Sequence, residues 1–143
     1  MRTTSTLFKS GIAITLLALA ACASSPTVAA RAKGLTLSGA NEVPPVATSA
    51  SGTADITIAA DGGVTGTIVT SGMAPTMAHI HLAAAGTNGP VIVPMVQSGD
   101  TFAFPAGSKL TDAQMAAYKA GNLYVNVHSA KNPGGEIRAQ LVP

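Results

Sequence analysis

The chain has 143 residues, with eight Lys or Arg against six Asp or Glu, a length that suits one domain with a modest core. Two of the basic residues, Arg2 and Lys9, fall in the first nine positions, so the remainder is balanced and carries no basic patch for nucleic acid. One cysteine excludes an internal disulfide, and two Tyr, three Phe and no Trp argue against an aromatic-lined ligand groove.

The first element follows Arg2 and Lys9. Gly11 to Ala21 is an unbroken run of apolar or small residues, ending Leu19-Ala20-Ala21-Cys22. A spanning helix needs roughly 20 apolar residues, so this shorter run reads as a signal peptide over residues 1–21. The LAAC ending resembles the lipobox of bacterial lipoproteins, which implies that Cys22 is acylated and becomes the new N-terminus. Each buried CH₂ of an acyl chain contributes about 0.8 kcal/mol, so several chains hold a small domain stably at a bilayer. Ala23 and Ser24 follow, with no aspartate. By resemblance to Gram-negative sorting, the expected place is the cell envelope, at the outer membrane and facing the periplasm or the cell surface. Residues 22–34 are small, polar and Pro-containing, and read as a flexible linker. The domain is then residues 35–143.

Short alternating runs dominate that domain, separated by Gly, Pro, Asn or Asp. Leu35 to Ser38 and Thr53 to Ile58 read as strands. Asp61-Gly62-Gly63 is a hairpin turn, because glycine supplies the positive φ such turns need. Val64 to Thr70, Met77 to Leu82 and Val91 to Val96 follow, with Pro94 marking an edge or a bulge. Phe102 to Phe104 is a short sixth strand. One helix is expected over residues 111–120: Thr111 caps it, Gln114 completes a capping box and Gly121 stands at the C′ position. Leu123 to His128 and Glu136 to Leu141 close the chain. Seven or eight strands with one short helix predict an all-β sandwich or flattened barrel.

Period-two alternation places Ala78, Ile80 and Leu82 in the core and His79 and His81 on the opposite face. Residues two apart on a strand lie about 6.5–7 Å apart. Two imidazoles at that spacing can converge on one ion with bonds near 2.0 Å. Later, Leu123, Val125 and Val127 face inward, while Tyr124, Asn126 and His128 face outward, as do Glu136, Arg138 and Gln140. If the outer faces adjoin, every histidine of the chain meets in one cluster with Arg138 beside it, outside the barrel; the plainer reading of such histidines is that they are simply solvated. No Ser–His–acid order, phosphate-cradling loop or paired catalytic carboxylates accompany it, so no catalytic residue is assigned.

Three motifs resemble the CHRD domain in order. Leu37-Ser38-Gly39-Ala40-Asn41-Glu42-Val43-Pro44-Pro45-Val46 is similar to its opening signature and Ala78-His79-Ile80-His81 to its central one. Leu123 to His128, with Asn132-Pro133-Gly134-Gly135-Glu136-Ile137-Arg138, is similar to its closing one. A weaker likeness is to copper/zinc superoxide dismutase, a Greek-key barrel. It implies Greek-key connections, with His79, His81 and His128 as copper ligands and Arg138 as an anion guide. The chain departs from that enzyme in having no fourth bridging histidine and no zinc-ligand loop.

The leading expectation is an envelope-anchored module with a three-histidine metal site. Copper is favoured over zinc by the dismutase-like arrangement and by its rank in intrinsic affinity. Asn126 and Glu136 are candidates for the oxygens that accept the ligands' second N–H. Two alternatives stand beside it. One is a structural domain that contacts another envelope protein without metal, with Glu42 to Val46 as a rigid strand entry. The other is a dismutase-like redox enzyme.

Overall fold

The computed structural model describes residues 30–143, so the expected signal peptide and the acylated Cys22 lie outside the described residues. Nine antiparallel strands form one sheet: β1 (Ala30–Ser38), β2 (Ser51–Ile58), β3 (Val64–Ser71), β4 (Pro75–Leu82), β5 (Val91–Pro94), β6 (Val96–Ser98), β7 (Thr101–Ala103), β8 (Leu123–Ser129) and β9 (Ile137–Leu141). Their order is β5-β4-β8-β9-β1-β2-β3-β7-β6. One helix, α1 (Asp112–Lys119), lies between β7 and β8. The fold is the expected all-β flattened barrel. Its count is nine because Val91 to Val96 is two strands, not one.

The split has a local cause. Pro94 has no N–H to extend the β5 ladder, and β5 is an edge strand, where proline is tolerated. The chain leaves β5 at Met95, whose N–H donates to the Ala78 carbonyl at 3.0 Å. β6 then pairs with β7 at the other rim of the sheet. Gln97 Nε2 on β6 donates to the Pro75 carbonyl on β4 at 2.8 Å. These two bonds bring β6 against β4 and leave the barrel nearly closed.

Inward positions follow the alternation: Leu37, Ile56, Ile68, Ile80, Val125 and Ile137 are all 0–1% exposed. The Asp61-Gly62-Gly63 turn joins β2 to β3, with Gly62 at φ 89° and Asp61 Oδ1 accepting from Gly63 N at 3.0 Å. In the capping box, Thr111 Oγ1 accepts from Gln114 N at 3.2 Å and Gln114 Oε1 from Thr111 N at 2.9 Å.

Two expectations need correction. Residues 22–34 read as a linker, but Ala30 to Ala32 pair with Ile58 to Ile56 of β2, so the sheet begins inside that stretch. Glu42 to Val46 is a loop, not a strand entry. A single 3-10 turn at Gly39–Asn41 starts it, and Val46 N returns to the Gly39 carbonyl at 2.9 Å. Gly39 is required there, since a Cβ would stand 2.3 Å from the Val46 oxygen.

Candidate metal centre

β4 and β8 are neighbours, and their register places Met77 opposite His128, His79 opposite Asn126 and His81 opposite Tyr124. Directly opposite residues share a face of the sheet. The H-x-H pair of β4 therefore meets His128 of β8 across one strand boundary. One nitrogen from each of the three rings lies within 4.8 Å of the others. Bonds of about 2.0–2.1 Å put two nitrogens on a common ion at no more than about 4 Å, so movement of less than an ångström brings the set to bonding range.

Backbone carbonyls fix two of the rings. His81 Nδ1 donates to the Gly89 carbonyl at 2.9 Å, and His128 Nδ1 to the Pro133 carbonyl at 2.9 Å. A carbonyl only accepts, so in the neutral rings each Nε2 carries a lone pair. His128 Nε2 lies 3.2 Å from His79 Nδ1, which then holds the shared proton when no ion is bound. His81 Nε2 is buried without a hydrogen-bond partner. Burial, with the nearby His128 and His81, lowers His79 to about 4. Burial also lowers His81, against the opposing pull of its Gly89 bond and of the nearby Asn126 amide. Both rings are thus neutral near pH 7, the state in which imidazole binds metals.

This outer face of the sheet is covered, not solvated. His81, Tyr124, Asn126, His128, Glu136 and Arg138 are all 1–7% exposed. The cover is the 83–90 loop together with the 39–48 loop. Arg138 sits at 1% exposure, with Nη1 donating to Asn88 Oδ1 at 3.1 Å and Nη2 to the Thr87 carbonyl at 2.9 Å. Gln140 Nε2 holds the Ala83 carbonyl at 3.0 Å, and Asn88 Nδ2 reaches the Val43 carbonyl at 2.6 Å. The backbone of β9 joins in, as Asn41 Nδ2 donates to the Arg138 carbonyl at 3.1 Å.

Arg138 is therefore next to the histidines without facing them. Its Cζ lies 3.3 Å from the centre of the Tyr124 ring, a cation–π contact. That ring also stacks on His81, with centroids 4.7 Å apart and planes 5° from parallel. Since β8 lies between β4 and β9, Tyr124 separates the guanidinium from His81. Asn126 lies opposite both His79 and Arg138, and its Oδ1 is buried without a donor. Glu136 is turned elsewhere. Its Oε1 accepts from Thr48 Oγ1 at 2.7 Å and its Oε2 from Ser129 Oγ, so it fastens the 47–50 segment to the β8–β9 turn. Against the burial that would raise it, those hydroxyls hold the Glu136 carboxyl below its usual range. The N–H groups of His81 and His128 thus go to main-chain oxygens, where the sequence suggested side chains.

Glu42, not singled out as a site residue, is 4% exposed. Burial raises its pKa, with the Arg138 charge and an Asn126 hydrogen bond acting against it. A Cβ at Gly135 would stand 2.5 Å from Glu42 Oε1 and 2.6 Å from Asn126 Nδ2, so this close approach needs glycine. The signal in the sequence was an isolated acid among small residues and prolines.

A family model described as the CHRD domain matches residues 34–141. No curated protein and no solved structure matches the chain.

Proposed function

The chain belongs to the CHRD domain family, and on that premise we propose that its domain is a metal-binding module of the cell envelope, with copper held by His79, His81 and His128. The observation that carries the reading is His81 Nε2, a buried lone pair without a partner inside a group of three converging imidazoles. Leaving such an atom unpaired costs about 1–3 kcal/mol. A cation satisfies all three nitrogens at once, with no gain or loss of buried charge on the ligands themselves.

Neutral imidazole suits copper, zinc, iron and nickel, and copper(II) ranks above zinc(II) in intrinsic affinity for such donors. Bound copper supplies one-electron chemistry. The chain's own part is orientation: the Gly89 and Pro133 carbonyls keep protons on two Nδ1 atoms and leave Nε2 free. His79 contributes Nδ1 once its proton moves to the other ring nitrogen. A superoxide-dismuting reading asks Arg138 to meet an incoming anion. Its guanidinium is committed to Thr87 and Asn88 under a loop, so the observations do not favour that reading.

The membrane part of the proposal rests on Cys22 and the apolar run before it. Among the described residues no helix is long and apolar enough to cross a membrane. A Cys22→Ser variant is expected to leave the membrane fraction.

Titration with Cu(II) followed by EPR tests the metal site. Hyperfine splitting from imidazole nitrogen is expected at one equivalent. A spectrum without it, or unchanged binding after His79→Ala, His81→Ala and His128→Ala together, overturns the reading. Absence of any Cu(II) binding would favour a metal-free module that contacts an envelope protein.

A further inference from the structure

A sulfur donor also stands on the histidine face, beside the ring of His128. Met77 lies two positions before His79 on β4 and directly opposite His128 on β8, and from Met77 onward the β4–β8 register is regular. Ala78 and Ile80, the alternate residues, are fully buried in the core, so Met77 points to the same side as His79 and His81. Opposite residues on one face have Cβ atoms about 4.5–5.5 Å apart. The χ1 and χ2 torsions of methionine carry its sulfur beyond that Cβ and can turn it toward the ring beside it.

Its exposure is out of keeping with its surroundings. Met77 is 47% exposed, whereas His81 and His128 are 7% and 6%. Two sides of the cluster are closed, by the Gly89 bond at His81 and by the stacked Tyr124. The half-buried His79 and the exposed Met77 mark the remaining approach from solvent. A large apolar side chain at the rim of a polar face contributes little to folding there. As a donor it is well placed.

We propose that the Met77 thioether is a fourth, soft ligand that closes the mouth of the three-histidine site and selects copper(I). This rests on the copper reading above. Thioether sulfur favours Cu(I), while Zn(II) and Cu(II) are served by the three imidazoles alone. Met77 therefore sets which oxidation state the site retains. It raises the Cu(II)/Cu(I) potential by stabilising the reduced ion.

The test compares the full chain with Met77→Leu, which keeps the volume and removes the sulfur. Cu(I) under ascorbate, in competition with bicinchoninate, is expected to bind about tenfold more weakly to the variant. Cu(II) and Zn(II) affinities are expected to change less than twofold. A tenfold change confined to Cu(I) lowers the potential by about 59 mV for one electron. The X-ray absorption spectrum of the Cu(I) form is expected to show a sulfur neighbour in the parent and none in the variant. Equal Cu(I) affinity with no sulfur neighbour in the parent overturns the thioether and leaves the three-histidine site standing. Failure of the parent to bind Cu(II) and Zn(II) at all removes both. Met77 is half in solvent, so circular dichroism of the variant is expected to match the parent.

Discussion

β2 and β8 read alike and behave differently. Both alternate apolar with polar residues, Ala54-Asp55-Ile56-Thr57-Ile58 in one and Leu123-Tyr124-Val125-Asn126-Val127-His128 in the other. Along β2 the inward residues are buried and the outward ones are mostly exposed. Along β8 every residue is buried on both faces. Alternation therefore establishes which side chains share a face, and leaves open whether that face is wet. The residue types carry the difference. Thr and Asp on β2 need only water, whereas Tyr, Asn, His and Arg on β8 and β9 have several polar atoms that loops can satisfy.

The strongest way to break that comparison is to remove the residue that fastens the cover. Arg138→Ala deletes two hydrogen bonds from a charged donor and the packing on Tyr124. It is expected to cost about 3–4 kcal/mol in urea unfolding. Thr67→Ala on the exposed face of β3 is expected to stay within about 0.5 kcal/mol. Similar losses at both positions would mean that the covered face is no more structured than the bare one.

Metal sharpens the contrast next. Cu(II) or Zn(II) at a hundred times its dissociation constant is expected to stabilise the protein by about 2.7 kcal/mol. Thermal melts with and without chelator read this directly. His81→Ala is expected to abolish the shift, and Thr67→Ala to preserve it.

The supporting carbonyl is a finer probe. A Cβ on Gly89 would approach the Leu82 oxygen to 1.9 Å, so Gly89→Ala must displace the loop that holds His81 Nδ1. Metal affinity is expected to fall about 10- to 100-fold, as it does when the partner behind a ligating histidine is lost. Competition with a chromophoric chelator measures it.

The smallest effect is with pH, in protein stripped of metal. Burial lowers His79 from its ordinary 6.5 to about 4. Between those values the unfolded chain binds a proton that the folded chain does not. The contribution of neutral His79 is therefore complete above pH 6.5 and is lost as pH falls through about 4. Solvent screening of this half-buried ring limits the loss to roughly 1 kcal/mol. Urea midpoints at pH 7 and pH 4 check it, and His79→Gln is expected to flatten the profile.

What could be read beforehand was what local chemistry writes into adjacent residues. The Asp61-Gly62-Gly63 turn, the Thr111–Gln114 capping box and the shared face of His79 and His81 each depend on spacings of a few residues. The meeting of His79 with His128, 49 positions apart, needed the adjacency of β4 and β8 as well. The cover was not legible. Residues 83–90 are Ala-Ala-Ala-Gly-Thr-Asn-Gly-Pro, without periodicity, and they act mainly through carbonyl oxygens that every residue type carries. For the same reason the Gly89 and Pro133 acceptors left no side-chain trace, and Asn126 and Glu136 were expected in their place. The break at Met95 was hidden because Val91 to Val96 is one apolar run marked only by Pro94.

That break has a consequence for life among neighbours. A sheet that ends in open rims offers each rim as a template for the next molecule, the first step of strand-by-strand aggregation. Here the rim strands β5 and β6 are successive in the chain, and Met95 and Gln97 tie them back to β4. The chain's own link between the rims thus occupies part of the edge that a foreign strand would use. Copies confined to one bilayer through Cys22, as proposed above, would meet a shortened edge for such recruitment.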